Sequence, residues 1–432
     1  MIKSDATANG TVPIQISSWN IRGFKSKIVN NKLSDASFLQ EIQNDDIVSL
    51  VETHSVDNNL SIPGFKRVDI KNRSSTSIKG SGGLACFAKE KLVNEKLVIP
   101  IKTDNDDSLW IKLKKYIFDK KRDVYIGTAY LTPYRNNNDN SKNFLALFEE
   151  ILSFQEKGEV IVQGDFNART NVDDDTIAID KHDDNELMIP TENLSQNVHG
   201  RNSEDNVPSD HRGKELLEMC KSLGLLILNG RKVGDLFGKY TSFQWNGSSV
   251  VDYVLASNSV FSSISYFKVG RYIPWLSDHC ALRYSLDSCL KYEDKLETKD
   301  TGIKLEKLFW NEDSPEKFTS ILEMHEQEIS SILNVPDANA DDIVKKFQNL
   351  ITAVTKEGNF IKKSGKKPST DEPWFDNECK RGKEHVTNIG KSLQSCPSDK
   401  NLRKSLFEGK KKFRKLIYVE KRNYTHKRFL MI

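Results

Sequence analysis

The chain has 432 residues, 37% of them hydrophobic and 29% charged, with a formal net charge of +3, which points to two domains and excludes a polycation overall. Its six cysteines, Cys86, Cys220, Cys280, Cys289, Cys379 and Cys396, form no CxxC pair, which argues against a zinc knuckle or a disulfide framework and for reduced intracellular thiols. The opening MIKSDATANGTVPIQ lacks the apolar core of a secretory signal, and no apolar run approaches the ~20 residues of a membrane span, so the chain is expected to be soluble, intracellular and without a membrane partner.

Residues 1–12 read as a flexible N-terminus. Residues 14–20, IQISSWN, alternate and then meet Asn20-Ile21-Arg22-Gly23, as a first strand ending at a turn would. A helix is expected over 33–43. The run DIVSLVE then reads as a short buried strand with Glu52 at its end, followed by Thr53-His54. Strands are expected over 64–70 and 83–88, with a Ser/Gly/Lys loop between them. Residues 109–118 and 124–130 read as an antiparallel pair across 119–121, with Tyr130 at a strand end before Thr132-Pro133. An amphipathic helix over 144–154 leads to Val160-Ile161-Val162, a β-branched run that stops at Gly164-Asp165-Phe166-Asn167. Asp165 and Asn167 are two apart, so extended geometry would point them the same way: an anionic acceptor beside a neutral donor and acceptor. Such a pair can orient a water and hold a phosphoryl oxygen; taken alone it is equally an Asx turn closing a strand.

Residues 171–210 form a long Asp- and Asn-rich insertion. It lacks the glycine and glutamate spacing of an EF-hand, so its acidic run reads as a solvated loop. A helix over 211–223 is closed by Gly224, and a strand over 225–228 reaches Asn229. Residues 240–245 and 250–255 read as a strand pair turning at Asn246-Gly247. Asp252 lies inside the second of these, between Val251 and Tyr253; a carboxylate in an apolar strand is unfavourable unless paired. Trp275-Leu276-Ser277-Asp278-His279-Cys280 supplies the candidate partner, since a buried carboxylate that fixes a histidine tautomer is a recurring catalytic device.

SWNIRG, LVETH, AYLTP, VQGDFNA, SVVDYVL and LSDHCAL thus occur in order, each at a strand end. This order resembles the endonuclease/exonuclease/phosphatase superfamily, and within it the apurinic/apyrimidinic-type endonuclease domain of non-LTR retrotransposons. The resemblance covers roughly residues 13–286. It implies an α+β fold, a four-layer α/β/β/α sandwich of the DNase I-like kind over 13–289. It implies a metal side made by Asn20, Glu52 as direct ligand, and Asp278. It implies catalytic roles for Tyr130 near the scissile phosphate, Asp165 as water activator, Asn167 as its amide partner, and Asp252 as orienter of His279. His54, Thr241 and Ser277 fall at positions that would contact phosphate or DNA. Arg22 stands where DNA-repair relatives often carry an aspartate, which argues against a dedicated repair enzyme. The oxygen-rich set suits Mg²⁺, or Mn²⁺, and not zinc. The implied activity nicks DNA to leave a 3′-hydroxyl and a 5′-phosphate, and the implied location is nuclear. The rival readings are a same-fold phosphatase or phospholipid phosphodiesterase, and a catalytically silent nucleic-acid-binding remnant.

A charged linker is expected over 290–310 and a basic, mostly helical region over 311–432, with helices over 314–332 and 340–354. Residues 361–432 are strongly basic, and Leu406, Phe413, Leu416, Ile417 and Tyr424 recur at roughly helical spacing among lysines and arginines. That pattern is either a helix with a solvated basic face or a clamp for DNA, or RNA, phosphates. PWFDNECKRGKEH looks like the connector that precedes the reverse transcriptase in such elements, and the end at Ile432 suggests a truncated one.

Overall fold

The computed structural model describes residues 12–26, 31–55, 60–72, 82–118, 122–133, 140–176, 200–290, 306–308, 314–333, 340–358, 360–363 and 374–429. The N-terminal stretch to residue 11, the centre of the polar insertion (177–199) and most of the expected linker (291–305 and 309–313) lie outside these.

Two six-stranded sheets form the frame of the larger part of the chain. The first contains β1 (Ile14–Asn20), β2 (Ile47–Val51), β3 (Phe65–Lys71) and β4 (Leu84–Lys89). The second contains β5 (Val98–Ile101), β6 (Ser108–Leu113), β7 (Asp123–Tyr130), β8 (Gly158–Asp165) and β9 (Leu225–Ile227). Strands β10 (Ser242–Gln244) and β11 (Gly247–Ser249) form a hairpin of their own. The second sheet is completed by β12 (Asp252–Ser257), the first by β13 (Ile264–Val269) and β14 (Leu282–Leu286). The strand orders are β13-β14-β1-β2-β4-β3 and β5-β6-β7-β8-β12-β9. Within each sheet one central pair is parallel, β1 with β2 and β7 with β8; the other pairs are antiparallel.

The period-2 pattern of the strands explains the layers. On β12, Val254 and Ala256 join the core that spans both sheets, while Tyr253 and Leu255 join a second core. On β8, Ile161 takes the first side and Val160 and Val162 the second. That second core is roofed by α3 (Asn140–Lys157), through Leu147, Ile151 and Phe154, and by α4 (His211–Leu223), through Leu216 and Cys220. On the other side, Phe38 of α1 (Ala36–Ile42) stacks on Trp19, ring centroids 5.4 Å apart. Short helices α2 (Glu90–Asn94) and α5 (Asn258–Phe261) link strands. Strands buried on both faces read as continuous apolar runs, as seen in β2 and β8. The result is the expected DNase I-like α/β sandwich.

Two local expectations change. Residues 109–118 divide into β6 and a 3₁₀ turn at Lys115–Ile117, because Asp123 accepts from Lys115 N at 2.8 Å and turns the chain early. Residues 250–255 do not pair with 240–245. The hairpin closes within 242–249, and β12 pairs instead with β8 and β9.

The chain forms two compact units: Met1–Lys295 with Thr370–Ile432, and Leu296–Ser369. The basic region expected over 311–432 is therefore divided between them. The smaller unit has α6 (Ser314–Met324), α7 (Glu326–Leu333), α8 (Ala340–Glu357) and a pair of short strands, β15 (Glu306–Leu308) and β16 (Ile361–Lys363). Its core is Ile321, Ile332, Leu350, Val354 and Phe360. The last two helices, α9 (Asn377–Ser395) and α10 (Lys400–Phe429), belong to the larger unit. Their Cys379, Val386, Leu393, Leu406, Phe413 and Ile417 extend its main core. Among the described residues, no helix is long and apolar enough to cross a membrane.

Candidate active site

Parallel strands end at the same edge, and both central pairs use this. Asn20 ends β1 and Glu52 follows β2; Tyr130 ends β7 and Asp165 ends β8, the last two directly opposite each other. Antiparallel β12 starts where β8 stops, so Asp252 lies opposite Asp165. His279 precedes β14 on the neighbouring sheet. The register of six strands thus delivers six polar side chains to one rim. Gly164 is needed there: its φ is +140°, and a Cβ would overlap the Ala129 carbonyl oxygen.

His279 Nδ1 lies 2.8 and 3.0 Å from the two Asp252 carboxylate oxygens. A carboxylate only accepts, so Nδ1 carries the proton and donates it to Asp252. On the other side of the ring, Nε2 is 4.0 Å from Asp165 Oδ2. One ligand atom from each of Asp165, Asp252 and His279 lies within 4.8 Å of the others, and all three residues are buried. Burial and the nearby charge of Asp252 push the Asp165 carboxyl up to about 8. Burial opposes protonation of His279, but the charges of Asp252 and Asp165 outweigh it and raise the imidazole to about 10. The three groups are thus tightly coupled in a dry setting, where electrostatic contacts are strong.

Asn20 joins this cluster to the other half of the site. Its Nδ2 donates to Asp165 Oδ2 at 2.8 Å and to Glu52 Oε1 at 3.0 Å, while its Oδ1 accepts from Arg22 N at 3.0 Å. His54 Nε2 lies 3.2 Å from Glu52 Oε2. Burial works against the Glu52 charge, yet hydrogen bonds from His54, Asn20 and Tyr130 prevail and hold its pKa down to about 2. Asp165 Oδ1 accepts from Asn167 N at 2.9 Å, and Asn167 Nδ2 donates to Leu131 O at 2.8 Å. Four of the six described non-glycine residues with positive φ, namely Arg22, Glu52, His54 and Asn167, belong to this rim. Backbone in that region is held only where its surroundings insist, and it clusters at functional sites.

Thr241 and Ser277, expected at positions that contact phosphate, have internal partners in this structure. Thr241 is fully buried, and its Oγ1 accepts from Val251 N and Asp252 N, both at 3.1 Å. Ser277 Oγ donates to Asn20 O at 2.6 Å and accepts from His279 N at 3.1 Å. Each hydroxyl positions a site residue from behind. Asp278 is ion-paired through Oδ2 with Arg22, and its buried Oδ1 has no hydrogen-bond partner. Glu52 and Asp278 each offer carboxylate oxygens, the donor type that suits a hard divalent cation. As placed, Asn20 orients Glu52 and turns its amide nitrogen, not its oxygen, toward the carboxylates.

Sequence reasoning missed three contributors. Asn229 donates to Asp252 O at 3.1 Å and accepts from Val254 N at 3.3 Å; its position at a strand end was its signal. Trp19 Nε1 donates to His279 O at 2.9 Å across 260 positions of sequence. Lys32 Nζ donates to Ile21 O at 2.7 Å and to Arg22 O at 3.3 Å beneath the Arg22 turn, and burial lowers its pKa to about 8. Nothing local in the sequence marks either of these two.

The Endonuclease/Exonuclease/phosphatase family model matches residues 17–279. No curated protein matches the sequence. Among solved structures, the endonuclease domain of TRAS1, a telomere-specific non-LTR retrotransposon, is 15% identical with a TM-score of 0.40, over 63% of this chain and 98% of that one. The 3′–5′ exonuclease NExo from Neisseria meningitidis is 15% identical with a TM-score of 0.43, over 63% and 100%. The AP endonuclease LMAP from Leishmania major is 12% identical with a TM-score of 0.45, over 64% and 88%.

Proposed function

We propose that this chain, which belongs to the endonuclease/exonuclease/phosphatase family, is a divalent-metal-dependent phosphodiesterase that nicks DNA. The observation that carries the reading is the buried Asp252–His279–Asp165 line, tied through Asn20 to an ionised Glu52. Asp165, backed by the Asn167 N–H, takes the proton from an attacking water. Its raised pKa makes it a stronger base than an ordinary carboxylate once ionised. His279, fixed by Asp252 at Nδ1, presents Nε2–H to a phosphoryl oxygen and stabilises the charge that develops there. Asn20 holds Glu52 and Asp165 at a set separation, and Tyr130 borders the Glu52 side. Glu52 and the open oxygen of Asp278 would hold Mg²⁺ or Mn²⁺, which when bound neutralises charge on the phosphoryl group.

In-line attack by water on phosphorus with departure of the 3′ oxygen leaves a 3′-hydroxyl and a 5′-phosphate. The order of strand-end motifs from SWNIRG to LSDHCAL favours a retrotransposon-type target-site nuclease over a repair enzyme, with Arg22 as the distinguishing position. The test is end analysis of cut plasmid. Nicks that DNA ligase seals without kinase treatment, and that a polymerase extends directly, support the reading. Release of inorganic phosphate from 3′-phosphate ends without strand cutting would replace it with a phosphatase.

A further inference from the structure

Helices α9 and α10 clasp the segment that carries Asp278 and His279. Gln394 on α9 accepts from Tyr272 N at 2.9 Å and donates to Gly270 O at 2.8 Å. Gly390 lies flat on Pro274, where a Cβ would sit 2.6 Å from the ring. Lys383 Nζ rests 3.9 Å from the centre of the Trp275 ring. On α10, Arg403 donates to Gln244 O at 2.6 Å and Gly247 O at 2.9 Å, so the β10–β11 hairpin is held from the same side.

This docking fixes where α10 puts its charge. The helix carries twelve Lys and Arg against two Glu, while the whole chain is only +3. Lys410 lies two turns beyond Arg403 on the same face and is drawn among Asp278, Arg22 and Arg414. Among the described residues no acceptor hydrogen-bonds its Nζ. Lys410 itself is half-buried. Arg414, one turn further, is exposed, and among the described residues its side chain hydrogen-bonds the Lys410 carbonyl at 3.2 Å. Arg22 is 63% exposed although paired with Asp278. Two cations from opposite ends of the sequence, Arg22 and Lys410, thus lie in the field of Asp278, with Arg414 one turn from Lys410 on α10. Their charge exceeds what Asp278 neutralises, so the cluster presents net positive charge to an anion.

We propose that Lys410 and Arg414 of α10, with Arg22, form a subsite for a backbone phosphate of duplex DNA beside the one cleaved, so that the C-terminal helices are part of the nuclease's substrate site. The proposal rests on the DNA-nicking reading but is measured apart from it. The full chain is titrated against a fluorescent 20-base-pair duplex by anisotropy, in EDTA so that nothing is cut, across a salt series. Lys410→Met and Arg414→Ala are each expected to weaken binding about tenfold, and to reduce the slope of log affinity against log salt by about one phosphate contact. Both variants bound within twofold of wild type, with unchanged slopes, would overturn the subsite. If Lys410→Met does not fold, the exposed Arg414→Ala decides alone. An RNA hairpin bound more tightly than the duplex, and weakened equally by both variants, would overturn DNA as the occupant. A wild-type chain that shows the expected binding losses yet cuts nothing with Mg²⁺ would sink the nuclease reading and leave the subsite standing.

Discussion

His279 faces a carboxylate on each side, and the two differ in what they do. Asp252 is hydrogen-bonded to Nδ1 and cannot leave it without stranding a buried N–H; Asp165 stands 4.0 Å from Nε2, beyond hydrogen-bond distance. Asp165→Asn is expected to lower the nicking rate about 10²- to 10⁴-fold, the usual worth of a general base, with KM little changed. Because Asp165 works only when ionised and its pKa is raised toward 8, the rate should fall about tenfold per pH unit as pH drops below that value. A rate flat from pH 8 to pH 6 would contradict the assignment of Asp165 as base. Thr241→Val removes the acceptor of the half-buried Val251 N–H and the buried Asp252 N–H, and should cost about 1–3 kcal/mol of stability while lowering the rate through a displaced Asp252. Urea unfolding read beside kcat separates that outcome from loss of a phosphate contact, which would raise KM and leave stability unchanged.

Secondary elements show which parts of the site were legible beforehand. Asn20, Glu52, Tyr130 and Asp165 each follow an apolar run that ends abruptly, and the period-2 and β-branched signals mark such ends well. Asp252 was conspicuous as a charge inside an apolar strand. Its true neighbour strand was not, because sequence adjacency favoured a hairpin with 240–245 whereas the sheet pairs β12 with β8, nearly a hundred residues upstream. The contacts of Trp19, Lys32 and Lys410 are long-range pairings that leave no local periodicity to read. The basic C-terminal run was visible, but its two possible roles, solvated face or phosphate clamp, depend on what the helix packs against. That packing rests in part on one missing side chain: Gly390→Val places a branched side chain against Pro274. The variant should lower stability by about 1–3 kcal/mol through overpacking and reduce nicking through the 270–280 segment. A Gly390→Val chain with wild-type stability and rate would show that α9 does not bear on that segment.

At the scale of the molecule, one compact unit takes in both ends of the chain, Met1–Lys295 and Thr370–Ile432, and Leu296–Ser369 forms the other, with a core of its own. The thiols offer a check on this assembly: Cys86, Cys220, Cys280 and Cys379 are buried and Cys289 and Cys396 exposed, Cys379 being covered only because α9 is docked. A thiol reagent should therefore label two cysteines quickly in the native chain and six after denaturation. Three or more fast-reacting thiols would place α9 away from the core. The measurement that bears most directly on function is nicking of supercoiled plasmid by the full chain with Mg²⁺, with EDTA, and with His279→Ala beside them. Relaxed circles that form with Mg²⁺, vanish in EDTA and drop at least about a hundredfold in the variant are the expected result. Wild-type nicking that His279→Ala retains in full would contradict it.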